Sequence, residues 1–299
     1  MRLPRHDTFP CELDPPFVVH QPREIAVPLV FSSPHSGRVY PEGFVAASAL
    51  DRSRLRKSED AFVEELFSGV TDLGAPLIAA RFPRAYLDVN REPYELDPEL
   101  FADPLPAYAN TRSLRVLGGL GTIARVVGES ESIYRERLSL AEGLQRIERL
   151  YWPYHRALGQ LLQSARERFG LAILIDCHSM PSSGAAGEGA ARAHFVLGDR
   201  FGASCMSDLT RHVRSHLGEL GYDVALNRPY SGGHITERYG APAQGMHALQ
   251  IEINRALFTN ESTLTQTSGF ALLRERLMQL VDGLARLSRR QMPMAAAAE

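Results

Sequence analysis

Strand-type runs alternate with segments whose apolar residues recur at helical spacing. "PLVFSS", "PLIAARF", "AYLDVN", "LAILIDCHS", "AHFVLGD" and "HALQIEINR" read as strands. Between them, Phe62, Val63, Leu66, Phe67, Val70 and Leu73 form one helical stripe, and Leu209, Val213, Leu217 and Leu220 form another. A periodic segment from about 132 to 169 contains Pro153, which removes a backbone donor, so a kink or break is predicted there, with a stop at Gly170. A last helix is predicted over about 270 to 287. This alternation predicts an α/β fold, a parallel or mixed sheet flanked by helices. Ligands of such sheets bind at the carboxyl ends of the strands, which directs attention to residues at strand exits.

No repeat or low-complexity linker divides the chain, so residues 1–299 are read as a single α/β domain. Its Pro-rich first 24 residues are expected to wrap the surface, and the tail "RRQMPMAAAAE" (289–299) to be frayed. Composition narrows the partners. Lys plus Arg number 33 against 35 Asp plus Glu, a formal charge of −2, which gives no basic excess for nucleic acid or an anionic membrane. No secretory signal or membrane-length apolar run is present, so a soluble cytoplasmic protein with a small-molecule partner is expected. Cys11, Cys177 and Cys205 form no CxxC pair, which argues against disulfides and against a thiolate zinc site.

The candidate chemistry sits where strands end. "LVFSSPHSG" delivers His35 to a strand exit, and "LAILIDCHS" delivers Asp176 and His178 to another. Side chains alternate along a strand, so Asp176 and His178 point one way and Cys177 points into the packing on the other side. Asp176 is placed to orient a metal-bound imidazole through its second nitrogen. A hydrolytic zinc site needs three protein ligands and one open position, commonly two histidines and a carboxylate. Glu59 and Asp60, after a Ser58 read as a helix N-cap, are the carboxylate candidates, although acids in a first helical turn are also favoured by the macrodipole alone. On "LQIEINR", Gln250, Glu252 and Asn254 share one face, and Glu252 is a candidate general base; a salt bridge to Arg255 is the rival account. "AYLDVNR" places Asp88 and Asn90 on one face with Arg91 at the strand end, a planar fork suited to a carboxylate or to a structural ion pair. "SGGHITERYG" reads as a glycine-flanked mobile loop carrying His234. "GLGTIARV" lacks the strand context of a dinucleotide fingerprint.

The ordered set "SSPHSG", "SED", "YLDVNR", "IDCHSMPS", "SGGHIT" and "HALQIEI", with "GTIARV" and "YWPYHRAL" between them, closely resembles the N-formylglutamate amidohydrolase family over about residues 30 to 258. The resemblance implies a relative of the zinc carboxypeptidases with a three-layer αβα sandwich around a mixed, mostly parallel sheet. It implies His35, Asp60 and His178 as ligands of one divalent ion, zinc first, with cobalt or manganese as alternatives. Glu252 then matches the carboxylate that activates water, and His234 a pocket wall or oxyanion aid. Arg91 with Asn90, and Arg84, would grip an acidic N-acyl amino acid, with Ser36, Ser179 and Thr236 also on the substrate's side. The chain departs from the family at Glu59, which stands where relatives carry a hydroxyl residue and so competes with Asp60 as ligand.

The expected activity is therefore metal-dependent hydrolysis of N-formyl-L-glutamate, or a related N-acyl acidic amino acid, to formate and glutamate, of the kind used in histidine degradation. Two other classes are consistent with the same residues. One is a serine amidase using Ser36 or Ser179, although neither serine sits in a GxSxG elbow; the other is a metal-binding sensor without turnover. The metal reading makes one spatial demand: the nearest ring nitrogens of His35 and His178 must lie within about 5 Å to share an ion held at about 2 Å from each.

Overall fold

The run "AILIDCHSM" forms a nine-residue strand, Ala172–Met180, buried along its whole length, as a strand covered on both faces must be. The computed structural model describes residues 9–128, 131–183 and 193–291. Its principal strands are β1 (Phe17–His20), β2 (Leu29–Ser33), β3 (Leu77–Ala80), β4 (Ala172–Met180), β5 (Phe195–Gly198), β6 (Val224–Leu226) and β7 (Met246–Asn254). They make one seven-stranded sheet in the order β1-β3-β2-β4-β7-β5-β6. β2 runs parallel to β3 and β4, and β4 parallel to β7, whereas β5 is antiparallel to β7 and parallel to β6. Helices flank this mixed, mostly parallel sheet on both sides, as the α/β reading expects.

Among the helices are α1 (Val63–Leu66), α2 (Trp152–Phe169), α3 (Ser207–Glu219), α4 (His234–Tyr239) and α5 (Gly269–Gln291). One sheet face is apolar: Phe31, Ile175, Cys177, Leu249 and Ile251 pack with Leu66 and Val70, with Leu209 and Val213 of α3, and with Leu277 and Leu280 of α5. Each such side chain contributes about 1.5–3 kcal/mol by leaving water. Cys177 points into this core as alternation requires, and burial raises its thiol well above the ordinary range. On the opposite face stand Asp176, His178, Gln250 and Glu252, all buried, and α4 lies against β4 and β7.

Pro153 and Gly170 act as expected. A π-helical turn, Ile147–Tyr151, interrupts the periodic segment just before α2, and Gly170 ends α2 at φ 76°. Other expectations are corrected. Phe62 takes a left-handed φ of 66°, so the stripe from Phe62 to Leu73 is not one helix but α1 followed by a 3-10 turn, Ser68–Leu73. The same apolar residues still face the core, with Val63, Leu66, Phe67 and Val70 inside it and Phe62 and Leu73 packed against it. Ser58 ends a 3-10 turn and its hydroxyl donates to the Leu55 carbonyl, so it is not a helix N-cap. The N-terminal segment supplies the strand β1, and β6 was not anticipated. Helix α5 continues to Gln291, past the start of the expected tail, while residues 292–299 lie outside the described residues.

The chain forms two compact units. One holds the chain up to Val18 with Gly37–Glu59 and Ala80–Arg156; the other holds Val19–Ser36, Asp60–Ala79 and the chain from Ala157 onward. In the first unit "AYLDVNR" is a turn rather than a strand. Tyr86 N–H closes on the Pro83 carbonyl at 2.9 Å, and Asp88 Oδ1 accepts the Asn90 N–H at 2.8 Å; this local side-chain bond offers the backbone an alternative to a ladder.

Candidate functional site

Strand register builds the site within the second unit. Ser32 of β2 is the Cα partner of Asp176 in β4, so β2 ends level with the middle of the Asp176-Cys177-His178 run while β4 continues to Met180. His35, just past the end of β2, and His178, still within β4, have ring centroids 4.8 Å apart. His178 is in turn the Cα partner of Glu252 on β7. Asp60 is brought in from a separate segment by its own backbone, whose N–H donates to the His35 carbonyl at 3.0 Å. The left-handed Phe62 follows two residues later, a conformation that costs a non-glycine residue about 1–2 kcal/mol and concentrates at functional positions.

The buried trio His35, Asp60 and His178 presents ligand atoms that all lie within 4.8 Å of one another, inside the limit set by the sequence reading. Asp60 Oδ2 is 3.5 Å from His35 Nδ1 and 3.1 Å from His178 Nδ1. Ligands held tetrahedrally at about 2.0–2.1 Å from zinc are separated by about 3.3 Å, so these spacings fit. The hydrogen bonding also fits. His178 Nε2 donates to Asp176 Oδ2 at 2.9 Å, and Asp176 Oδ1 accepts from Ser32 Oγ at 3.0 Å. That tautomer turns a lone pair on His178 Nδ1 toward a carboxylate oxygen, and two acceptors 3.1 Å apart need a cation or a proton between them. Asp60 Oδ1 is occupied on its other side by Ser179 Oγ and Arg255 Nη2, both at 3.1 Å, so Oδ2 alone faces the imidazoles.

Electrostatics agree with a site that calls for positive charge. Burial works against charge on His178, but Asp176 and then Asp60 overcome it and hold the imidazole well above its ordinary value of 6.5. Burial likewise opposes ionisation of Asp60, yet the two histidines hold it well below 3.8. In ion-free protein, protonated His178 contributes stability that is full below pH 6.5 and lost as pH rises through the raised value. An ion held by the trio would take the place of that proton. The melting temperature of chelated protein should therefore fall as pH rises above 6.5, while that of zinc-loaded protein stays level over the same rise; a scanning-calorimetry pH series with parallel curves would refute this. Asp176→Asn should weaken zinc binding about 10–100-fold in a competitive chelator titration, because it removes the carboxylate charge that holds the His178 tautomer and puts an amide donor in place of one acceptor oxygen.

Glu59 does not compete for the site. Its carboxylate is buried and bound by Arg56, with Nε at 2.9 Å, and by the Tyr40 hydroxyl at 2.7 Å, and the trio is completed by Asp60. Glu252 Oε1 accepts from Gln250 Nε2 at 2.9 Å. His234 is not in a mobile loop: it opens α4, after Gly233. Thr236 is fully buried and its hydroxyl donates to the Gly233 carbonyl at 2.8 Å, so it braces that turn. Ser36 Oγ pairs with Ser33 Oγ at 2.9 Å, and Ser179 Oγ accepts from Arg255 Nε at 3.1 Å besides donating to Asp60. Neither arrangement supplies the serine–histidine pair that an activated nucleophile needs.

In the first unit, Arg84 Nη2 meets Asp88 Oδ2 at 2.8 Å. Arg91 donates through Nε to the Leu120 carbonyl at 3.0 Å and through Nη1 to the Asn90 carbonyl at 2.9 Å, with Nη2 3.6 Å from Asp88. "YWPYHRAL" accounts for the rigidity of this turn: Tyr151 OH donates to the Arg91 carbonyl and His155 Nε2 lies 2.8 Å from the Val89 carbonyl. Sequence reasoning missed Ser32 and the bracing of Asp60 by Arg255. The signal for Ser32 was a hydroxyl ending an otherwise apolar strand; nothing local pointed from Arg255 to Asp60.

Residues 27–259 match the family model described as N-formylglutamate amidohydrolase. The chain is 31% identical over 246 residues to the N-formylglutamate deformylase of Pseudomonas putida, covering 81% of this chain and 85% of that protein. Its fold superposes on the crystal structure of N-formylglutamate amidohydrolase from Ralstonia eutropha JMP134 with a TM-score of 0.88 at 38% identity, over 93% of this chain and 99% of that one. A gene product of Agrobacterium tumefaciens, 18% identical with a TM-score of 0.64 over 91% of this chain and 94% of its own, shares the fold.

Proposed function

Since the chain belongs to the N-formylglutamate amidohydrolase family, we propose that it hydrolyses the formyl amide of N-formyl-L-glutamate, releasing formate and glutamate. The observation that carries this reading is the register that sets Glu252 beside His178, one of three buried side chains converging as an ion site. His35, Asp60 and His178 would hold a single divalent ion, zinc first, which supplies a Lewis acid for the formyl oxygen and a water of lowered pKa. Glu252 takes the proton of the attacking water as the new C–O bond forms, then delivers it to the amine nitrogen, and the amide C–N bond breaks to release formate and glutamate. His234, at the start of α4, walls the pocket. Asp176 and Ser32 hold the His178 ring, and Arg255 with Ser179 holds Asp60. Arg91, with Asn90, is the proposed grip for substrate carboxylate, its guanidinium already fixed by backbone carbonyls.

We place this reaction in histidine breakdown, as the family resemblance implies, and in the cytoplasm, where three cysteines without a paired framework are at home. Among the described residues no helix is long and apolar enough to cross a membrane. The test is direct: chelated protein, reloaded separately with zinc, cobalt and manganese, is incubated with N-formylglutamate, N-formylaspartate and an N-formimino relative. Formate should appear with N-formylglutamate, vanish on chelation and return with the ion. No formate with any ion, or full activity in chelator, would overturn the proposal.

A further inference from the structure

Gln250 takes no part in the ion trio, yet both ends of its amide are committed to the site. Its Nε2 donates to Glu252 Oε1 at 2.9 Å, and its Oε1 accepts the Gly233 N–H at 2.8 Å. Gln250 and Glu252 lie two residues apart on β7 and so share a face, and both are buried. Gly233 immediately precedes His234, the first residue of α4. One amide therefore holds the proposed base and the backbone that carries the pocket-wall histidine.

The turn it holds has no slack. A Cβ on Gly198 would lie 2.6 Å from Gly232 N, and one on Gly232, which sits at φ 116°, would lie 2.5 Å from Thr236 Oγ1. Two glycines are thus required for the strand and the turn to touch. The Arg200 N–H adds a bond to the Ser231 carbonyl at 2.7 Å. With the turn pressed onto β5 in this way, the Gly233 N–H has one place to point, and Gln250 is the acceptor waiting there.

We propose that Gln250 is the positioning residue of this site, fixing the Glu252 carboxylate and the entry to the His234 helix as one rigid pair. This inference rests on the reading of Glu252 as the base. The side chain must offer a donor and an acceptor at one end. A glutamate there keeps an acceptor for Gly233 but sets a second carboxylate against Glu252, and a methionine supplies neither bond.

The experiment pairs steady-state kinetics of zinc-loaded wild type, Gln250→Glu and Gln250→Met with amide hydrogen exchange over residues 233–236. Gln250→Glu should lower kcat about 10–100-fold, as expected of a misaligned base, with KM within about twofold of wild type and the Gly233 amide still protected. Gln250→Met should lower kcat and also speed exchange at Gly233 by about tenfold or more. Wild-type kcat in Gln250→Glu, or unchanged Gly233 exchange in Gln250→Met, would overturn the proposal. If wild-type protein releases no formate, the functional reading fails by itself, and the clamp stands or falls on the exchange data.

Discussion

Glu252→Gln should lower kcat for N-formylglutamate by about 10²–10⁴-fold, the range for loss of a general acid–base residue, with KM little changed. The substitution is nearly isosteric, and its amide oxygen can still accept the Gln250 Nε2–H bond that now ends on Glu252 Oε1. Zinc content should remain at wild-type level, because Glu252 is outside the trio of converging ligand atoms. Loss of zinc together with activity would instead identify Glu252 as a structural support of the site. Undiminished turnover would remove it from the mechanism.

His178→Ala should have the larger effect on the protein as a whole. The imidazole is shared by two buried carboxylates, Asp60 at 3.1 Å and Asp176 at 2.9 Å, and its loss leaves Asp176 with Ser32 and takes from Asp60 one of its cationic partners. Removing one member of a buried charged pair costs about 3–5 kcal/mol, so the variant should melt far below wild type. It should also lose the stabilisation that added zinc confers on the native state, which grows with ligand concentration over dissociation constant. Metal content by plasma mass spectrometry and melting curves with and without zinc check both statements. His178→Gln, which keeps a hydrogen-bonding group between the carboxylates, should recover part of the stability without recovering the ion. A variant that keeps wild-type zinc content would show that the trio does not bind it.

Much of this was visible in the chain. The apolar runs found most strands of the sheet, the period-two alternation separated Cys177 in the core from Asp176 and His178 on the polar face, and Pro153 with Gly170 marked where the long helical segment breaks and ends. The motif order located every member of the buried trio. What misled was also local: "AYLDVN" has strand composition but folds as a turn, because Asp88 bonds its own backbone two residues on, and a helical stripe was realised as two shorter turns around a left-handed Phe62.

The amino-acid sequence by itself determined which residue types end the strands and which face they take, because alternation and turn chemistry depend only on near neighbours. The tertiary structure alone decided who meets whom: that His178 finds Asp60, 118 positions away, that Arg255 braces the same aspartate across 195 positions, and that the Tyr40 hydroxyl, 19 positions back, adds to the local Arg56 pair in holding Glu59. Adjacent carboxylates such as Glu59 and Asp60 are chemically equivalent candidates until the backbone turns one toward each neighbourhood. That choice is made by hydrogen bonds between distant segments, and no periodicity along the chain encodes it.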